Sequence, residues 1–191
     1  MTLRVEVATA PLRGVLRPPG DKSVSHRSIM LGSLADGITE VSGFLEGEDS
    51  LATLNAFRRM WVEIQGPEQG RVAIRGVGMR GLKAPAGPLD LGNSGTSMRL
   101  LSGLLAGQGF EVILSGDQSL SGRPMGRVTE PLALMGAQIE ATEAGTAPLK
   151  IRPASGLHGI HYDLPVASAQ VKSALLLAGL YAEGETCVLE P

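Results

Sequence analysis

One motif occurs three times in this chain, and its first copy reads Gly20-Asp21-Lys22-Ser23-Val24-Ser25-His26-Arg27. The second copy reads Gly92-Asn93-Ser94-Gly95-Thr96-Ser97-Met98-Arg99, and the third reads Ala167-Ser168-Ala169-Gln170-Val171-Lys172. Each copy leads into an apolar stretch, and 17 residues separate its first position from a closing glycine, which is Gly37, Gly109 or Gly184. A repeat at a fixed spacing indicates one supersecondary unit used several times, each burying an apolar face against its neighbours.

Each copy has the pattern of a helix that begins at small polar residues and ends at the glycine. Helix N-termini have unpaired backbone N–H groups and carry a charge of about +0.5. If three units pack around a pseudo-threefold axis, three N-termini face one pocket, which then suits a phosphate or carboxylate. Ordinary capping explains a single copy. Three copies with cations on the same opening turns favour an anion site; those cations are Lys22, Arg27, Arg99 and Lys172.

The composition is that of a globular protein with no overall attraction to nucleic acid. The 191 residues include 17 basic and 19 acidic ones, for a net charge of −2, and only 3% are aromatic, which leaves few rings to stack on bases. Cys187 is the single cysteine, so an internal disulfide is excluded, and we predict a structural thiol in a buried strand. The three histidines lack zinc-site spacing, so neither a metal nor a cofactor is predicted.

The chain carries no membrane signal in its sequence. The first residues alternate like a strand and have no signal-peptide core, and no run of 18 apolar residues occurs. We therefore expect a soluble, cytoplasmic protein.

The pattern of strands and helices predicts an α/β fold built from repeats. Residues 1–19 are expected to form two short strands, at Leu3–Val7 and at Gly14–Leu16. Residues 20–191 are expected to form one lobe, with two full units of the βαβαββ type at about residues 20–81 and 82–153. A third unit at about residues 154–191 supplies one helix and one strand and is therefore incomplete. We expect the chain to be a fragment or one piece of a split protein, since a half repeat exposes an apolar edge.

Four ordered motifs resemble 5-enolpyruvylshikimate-3-phosphate synthases, the 3-phosphoshikimate 1-carboxyvinyltransferases of aromatic amino-acid biosynthesis. They are the three motif copies quoted above, the second extended to Leu91 and the third to Ser173, and Gly122-Arg123-Pro124-Met125. All 191 residues fit collinearly, over somewhat less than half of such an enzyme, on its N-terminal side. The resemblance implies two lobes of three repeats each that close on the substrates, with residues 1–19 belonging to the absent lobe.

The resemblance also implies roles for individual residues. It places Lys22, Ser23, Arg27, Ser168, Ala169 and Gln170 on shikimate 3-phosphate. It places Lys22, Gly95, Arg123 and Gln170 on phosphoenolpyruvate, with Lys22 also catalytic. Gly95 borders the site at which glyphosate also binds, and its lack of a side chain implies sensitivity to that herbicide. Arg99 and Lys172 are expected to be structural instead, paired with acids beside their helices.

In the implied reaction, the 5-hydroxyl of shikimate 3-phosphate adds to C2 of phosphoenolpyruvate, and the adduct then loses phosphate. The cations position two anionic substrates and neutralise their charge. Proton transfer needs an acid–base pair, and no convincing pair is present, because Asp21, Glu48, Asp49 and Asp117 have the pattern of caps or solvated acids. The resemblance places the catalytic Asp and Glu in the absent half, which we expect as a separate chain or removed segment.

Two other functions remain open from the sequence. One is an enolpyruvyl transferase acting on UDP-N-acetylglucosamine, in which Lys-Asn replaces Lys22-Ser23 and a mobile loop carries a cysteine. The other is a catalytically silent phosphate-binding fragment.

Two departures from the family pattern stand out. Trp61 replaces a glycine, which could overpack that corner, and Ala169 replaces a serine present in some members.

Overall fold

The helices lie close to where the motifs predict them. The structure is a computed structural model that describes residue 4, residue 11 and residues 13–191. Within residues 13–191 the helices are α1 (Lys22–Leu34), α2 (Glu48–Arg59), α3 (Gly95–Ala106), α4 (Gln118–Ser121), α5 (Gly126–Leu134) and α6 (Ala169–Gly179). The repeated motif copies begin α1, α3 and α6. The one-turn helix α4 has no counterpart among the predicted elements.

The strands are short and follow the helices in sequence. They are β1 (Asp36–Ser42), β2 (Glu63–Glu68), β3 (Arg71–Val77), β4 (Leu89–Asp90), β5 (Val112–Ser115), β6 (Gln138–Glu140), β7 (Leu149–Arg152), β8 (Leu157–His158), β9 (His161–Asp163), β10 (Ala182–Glu183) and β11 (Cys187–Leu189). Helices and strands are thus interspersed along the chain, and the predicted α/β class is confirmed.

Two sheets carry the strands β1 to β7, which end at Arg152. The first has the order β1-β3-β2, with both pairs antiparallel. The second has the order β4-β5-β7-β6, in which β5, β7 and β6 pair antiparallel and β4 adds a short parallel pair with β5. The chain also has two short parallel pairs, β8 with β10 and β9 with β11. In each pair one strand precedes α6 in sequence and the other follows it.

One face of each sheet is covered by helices and the other is charged. Val72 and Ile74 of β3 are buried on the covered face, whereas Arg75 beside them pairs with Glu63 on the exposed face. On the second sheet, Glu111 pairs with both Lys150 and Arg152 across the exposed face. The strands therefore alternate as half-buried antiparallel strands do, and the helices lie on the side that the core occupies.

Helices α3 and α6 pack with their backbones in close contact. A Cβ atom at Gly103 of α3 would lie 2.0 Å from the carbonyl oxygen of Ala174 in α6, so only glycine fits there. This contact brings the second and third motif copies side by side. Because both helices begin at their motifs, the N-terminal residues of the two helices also become neighbours.

Two predictions about strands are wrong. Residues 14–16 form no strand; they lie without a partner strand among the described residues, and Val15 and Leu16 are exposed. Apart from residue 4, the other predicted strand, at residues 3–7, lies outside the described residues. The third unit has two strands after α6, β10 and β11, where one was expected.

The helices also end before their closing glycines. α1 ends at Leu34, three residues before Gly37, which instead lies within β1 opposite Gly76. α3 ends at Ala106, three residues before Gly109, and α6 ends at Gly179, five residues before Gly184. The glycines serve the strand or turn that follows the helix, so their spacing marks the repeat and not the helix end.

Candidate active site

The three motif copies form helix N-termini that are capped in the same way. Asp21, Ser94 and Ser168 precede α1, α3 and α6, and each side chain accepts a hydrogen bond from a backbone N–H three residues on. The donor–acceptor distances are 2.7, 3.1 and 3.4 Å respectively. The cap uses one N–H group of each helix, so other N–H groups of the first turn remain for a ligand.

The first turns of α1 carry Lys22, Ser23 and Arg27. The Lys22 ammonium donates to the carboxylate of Asp49 at the start of α2, although both side chains remain partly exposed. Ser23 is exposed and Arg27 is half-buried. Within the described residues, neither the Ser23 hydroxyl nor the Arg27 guanidinium has a hydrogen-bond partner, so both can bind a ligand. The sequence interpretation of Asp49 as a cap or solvated acid is wrong, because it holds Lys22.

Gly95, the first residue of α3, lies between two guanidinium groups. A Cβ atom at this position would be 2.9 Å from Nη1 of Arg99 and 3.0 Å from Nη1 of Arg123. Burial lowers the pKa of Arg99, and the charges of Arg123 and Arg127 lower that pKa further. Three cationic side chains therefore crowd the N-terminus of α3, where the helix dipole is also positive. An anion bound there would relieve this repulsion.

Arg123 is held in place from the loop between α4 and α5. Its Nη2 atom donates to the side-chain oxygen of Asn93 and lies 3.4 Å from the Ser119 hydroxyl. Asn93 in turn donates to Asp117 at 2.8 Å, and Asp117 caps α4. The hydrogen bond from Asn93 lowers the pKa of Asp117, with a further contribution from the Leu120 N–H. The cap interpretation of Asp117 is confirmed, and its carboxylate also orients Asn93 and Arg123.

Gln170, in the first turn of α6, links that helix to α3. Its Oε1 accepts from Arg99 at 2.8 Å, and its Nε2 donates to the Thr96 hydroxyl at 3.0 Å. The expectation that Arg99 pairs with an acid is wrong, since its partner is this amide. The same expectation is confirmed for Lys172, which pairs with Glu190. Ser168 caps α6, and Ala169 is exposed.

The predicted site residues thus fall into connected groups. Arg123 approaches Gly95, Gln170 reaches the α3 terminus through Thr96, and the Ser97 hydroxyl lies 3.3 Å from the backbone oxygen of Asp49, which holds Lys22. Ser23, Arg27 and Ala169 lie on the same helix ends, and in the described part of the chain their side chains make no hydrogen bond or ion pair with the other groups. The sequence assigned no site role to Asp49, Asn93 or Thr96. Asn93 and Thr96 lie within the second motif copy, which was a signal for them, whereas no motif marks Asp49.

The chemistry of this region suits an anion. Lysine and arginine side chains with helix N–H groups recognise phosphates and carboxylates, and the planar guanidinium can do so with two hydrogen bonds. The acids nearby are engaged: Asp21 caps α1, Asp49 pairs with Lys22, and Asp117 caps α4. Within residues 13–191, no cluster of three or more His, Cys, Asp or Glu side chains could hold a metal ion.

Two other features lie outside this region. An open cleft of about 800 Å³ lies along β1, β2 and β3, and none of the predicted site residues lines it. Cys187 in β11 is a free thiol, half-buried where full burial was expected. In the described part of the chain, no helix has the length and apolar character needed to cross a membrane.

Fold and site together define an α/β protein in which arginine side chains cluster at a helix N-terminus, an arrangement suited to an anion. Comparison with known proteins gives the family. The model of EPSP synthase (3-phosphoshikimate 1-carboxyvinyltransferase) matches residues 7–191. The chain therefore belongs to the EPSP synthase family.

Individual relatives agree with this assignment. The chain is 71% identical over 180 residues to the 3-phosphoshikimate 1-carboxyvinyltransferase of Methylococcus capsulatus, covering 94% of this chain and 41% of the relative. It is 70% identical to the protein of the same name from Alkalilimnicola ehrlichii, covering 94% of this chain and 40% of that one. A solved structure of EPSP synthase from Acinetobacter baumannii is similar with a TM-score of 0.89 and 66% identity, covering 91% of this chain and 39% of that one. The chain thus spans about two-fifths of the length of these relatives.

Proposed function

We propose that this chain is the part of an EPSP synthase that gathers the substrates' anionic groups. The enzyme would transfer the enolpyruvyl group of phosphoenolpyruvate to the 5-hydroxyl of shikimate 3-phosphate. One observation carries the proposal: Gly95 lies between Arg99 and Arg123, at a helix N-terminus that Gln170 also reaches. Family membership supplies the substrates that such a cationic site would take.

The helix ends divide the substrates between them. Lys22, Ser23 and Arg27 on α1, with Ser168, Ala169 and Gln170 at the start of α6, would bind shikimate 3-phosphate. Gly95 and Arg123, with Lys22 and Gln170, would bind phosphoenolpyruvate. The missing side chain at Gly95 leaves room between the two arginines, so a phosphate or glyphosate could approach the α3 backbone closely.

The reaction needs positioning, charge neutralisation and proton transfer. The 5-hydroxyl oxygen adds to C2 of phosphoenolpyruvate while a proton goes to the methylene carbon, which becomes a methyl group. Phosphate then leaves C2 and the methyl group loses a proton, giving the enolpyruvyl ether. Lys22 and Arg123 would stabilise the charge on the reacting groups. Proton transfer would fall to an Asp and a Glu outside this chain.

The finer organisation belongs to the same proposal. In the first two units the central strand of each three-stranded set is the last of the three in sequence, as in β1-β3-β2 and β5-β7-β6. This likeness supports a pseudo-threefold repeat of βαβαββ units, with the third unit incomplete at about residues 154–191. The rest of the enzyme would complete the site as a second lobe, in the cytoplasm, together with residues 1–19.

A catalytically silent phosphate-binding fragment is the second candidate. The observation that favours it is the engagement of Asp21, Asp49 and Asp117, which leaves those carboxylates no role in proton transfer. Such a fragment would bind shikimate 3-phosphate without turning it over. The two candidates differ in whether activity appears when the rest of the enzyme is supplied.

The test is an assay of phosphate release from phosphoenolpyruvate and shikimate 3-phosphate. It is run on the chain alone, on the chain mixed with the remaining part of the Methylococcus capsulatus relative, and on a chimera that joins the two. We expect activity in the mixture and in the chimera, and none in the chain alone. An inactive chimera would refute the proposal. If the chimera instead releases phosphate when UDP-N-acetylglucosamine is supplied with phosphoenolpyruvate, the assignment of shikimate 3-phosphate as the substrate is wrong.

Variants of the chimera test the individual roles. Lys22→Met and Arg123→Ala should each lower kcat about 100-fold or more, since each removes a charge from the reacting groups. Lys150→Met and Arg75→Ala are matched controls, because both side chains pair with a glutamate on an exposed sheet face. Rates close to those of the controls would remove Lys22 or Arg123 from the site.

A further inference from the structure

A row of buried polar side chains joins the three helices that begin near the site. The Nδ1 atom of His26 in α1 lies 2.7 Å from the hydroxyl oxygen of Thr53 in α2. The Thr53 oxygen is 2.7 Å from the hydroxyl of Ser97 in α3, and that hydroxyl donates to Ser94 at 2.6 Å. All four side chains are 0% exposed. No motif in the sequence marks a role for His26 or Thr53.

The unpaired nitrogen of His26 fixes the direction of these hydrogen bonds. Nε2 is buried and has no hydrogen-bond partner within the described residues. A buried N–H without an acceptor costs more than a bare ring nitrogen, because orphaned donors are the rarer case in proteins. The proton of the neutral ring therefore lies on Nδ1 and is donated to Thr53. Thr53 then donates to Ser97, and Ser97 donates to Ser94.

The row of buried side chains lies next to two parts of the candidate site. Ser94 caps α3 directly before Gly95. Ser97 also lies 3.3 Å from the backbone oxygen of Asp49, whose carboxylate holds Lys22. Thr53 lies one turn after Asp49 on α2, so its hydrogen bond to Ser97 links the helix that holds the Lys22 pair to the start of α3 beside Gly95.

Stability alone does not account for such a row. Burying hydroxyl and imidazole groups costs desolvation, and apolar side chains of similar volume often fill a core as well or better. Directional hydrogen bonds provide what apolar packing does not, namely a fixed relative position of the groups that they connect. Here the connected groups are the starts of α1, α2 and α3.

We propose that His26, Thr53 and Ser97 are positioning residues, which set the distance between the Lys22–Asp49 pair and the Gly95 turn. The inference rests on the proposed function, in which these two places hold the two reacting substrates. The side chains that touch substrate are unchanged when the row is broken, so binding persists. The reacting groups then meet out of alignment, and displacement by about 1 Å is enough to slow a reaction by up to about 100-fold.

The kinetic test uses the chimera and breaks the row at its middle. Thr53→Val keeps the shape and removes the hydroxyl, and we expect kcat to fall about tenfold or more while KM rises less than about threefold. Thr53→Ser restores a hydroxyl and should restore kcat. Ser33→Ala is the control, because Ser33 is equally buried on α1 and its hydroxyl has no partner in the described residues. The stoichiometry of shikimate 3-phosphate binding counts folded sites, so unfolding is not mistaken for slow turnover.

A second break and a spectroscopic measurement guard against a variant that does not fold. Ser97→Ala interrupts the row one step nearer Gly95 and should give the same loss in kcat. Nitrogen-15 NMR of the unaltered chimera should show the neutral His26 ring with its proton on Nδ1, and Thr53→Val or Thr53→Ser should shift that signal. A proton on Nε2, or kcat values equal to that of Ser33→Ala, would overturn the inference. An inactive unaltered chimera would instead refute the proposed function, while the NMR result would still judge the row.

Discussion

Trp61 occupies a backbone position that favours glycine. It follows the C-terminal cap of α2 with φ +72°, and Gly136 holds the equivalent place after α5 with φ +93°. The hydrogen bonds match at both sites: Trp61 N–H donates to Arg58 and Val62 N–H to Phe57, as Gly136 and Ala137 do after α5. This is the Schellman arrangement, whose left-handed residue is usually glycine. Trp61 is exposed, so overpacking, which its sequence position suggested, does not occur.

We predict that Trp61→Gly stabilises the chain by about 1 kcal/mol, because a left-handed conformation strains any residue with a Cβ. The contact of the indole with Lys83, at 5.3 Å from the ammonium to the ring centre, offsets only part of this. Urea unfolding measures the change in free energy. Gly136→Ala is the converse control and should destabilise; equal or lower stability of Trp61→Gly would contradict the argument.

At the scale of the helix or strand, the sequence predicts those features that depend on residues a few positions apart. The starts of α1, α3 and α6 are predictable, because a cap and the first apolar residues lie within a few positions. The motif glycines were read as helix ends and are not, since strand pairing across Gly37 decides its role. The one-turn helix α4 is set by the Asp117 cap, which a short sequence window does not separate from a turn.

Contacts between helices are the part of the site that the sequence could not supply. Lys22, Gly95 and Gln170 are found by motif, whereas the partners Asp49 and Arg99 depend on how α1, α2, α3 and α6 pack. An Asp near a helix start fits a cap as well as an ion pair, and only the distance to Lys22 decides. Arg99 meets the Gln170 amide because Gly103 lets α3 and α6 approach closely.

His26 at the junction of α1, α2 and α3 makes stability depend on pH. Burial lowers the pKa of His26 to about 4 from the ordinary 6.5, Asp49 opposes this shift, and Lys22 and Arg27 add to it. Between these two values the unfolded chain binds a proton that the folded chain does not. The unfolding free energy should therefore fall as pH drops from about 6.5 to about 4, and this contribution should level off below that.

Urea unfolding at several pH values tests this prediction. His26→Asn keeps an amide N–H donor near Thr53 and cannot titrate, so its stability should change less between pH 6.5 and pH 4.5 than that of the unaltered chain. The difference between the two curves isolates His26 from the carboxylates. Parallel curves would show that His26 is protonated equally in both states.

At the scale of the whole molecule, several large apolar side chains are exposed among the described residues. The exposed faces of both sheets carry charge pairs, whereas Leu176 of α6, Leu180 at the C-terminal cap of α6 and Leu189 of β11 are exposed. Val15 and Leu16 are also exposed, before α1. A soluble protein seldom exposes many large apolar side chains close together. Because the chain spans 41% of the Methylococcus capsulatus relative, the rest of such an enzyme could cover these residues.

We predict that the chain alone binds the apolar dye ANS and that the chimera binds much less, since burial removes the apolar surface that the dye contacts. Replacing Leu176 and Leu180 together by lysine should lower dye binding by the chain. In the mixture with the remaining part of the relative, the same replacement should prevent recovery of activity, because buried unpaired charges oppose docking. Leu134→Lys is the control, since Leu134 is exposed at the end of α5. If the double replacement recovers activity as fully as the control does, α6 is not the surface on which the second part docks.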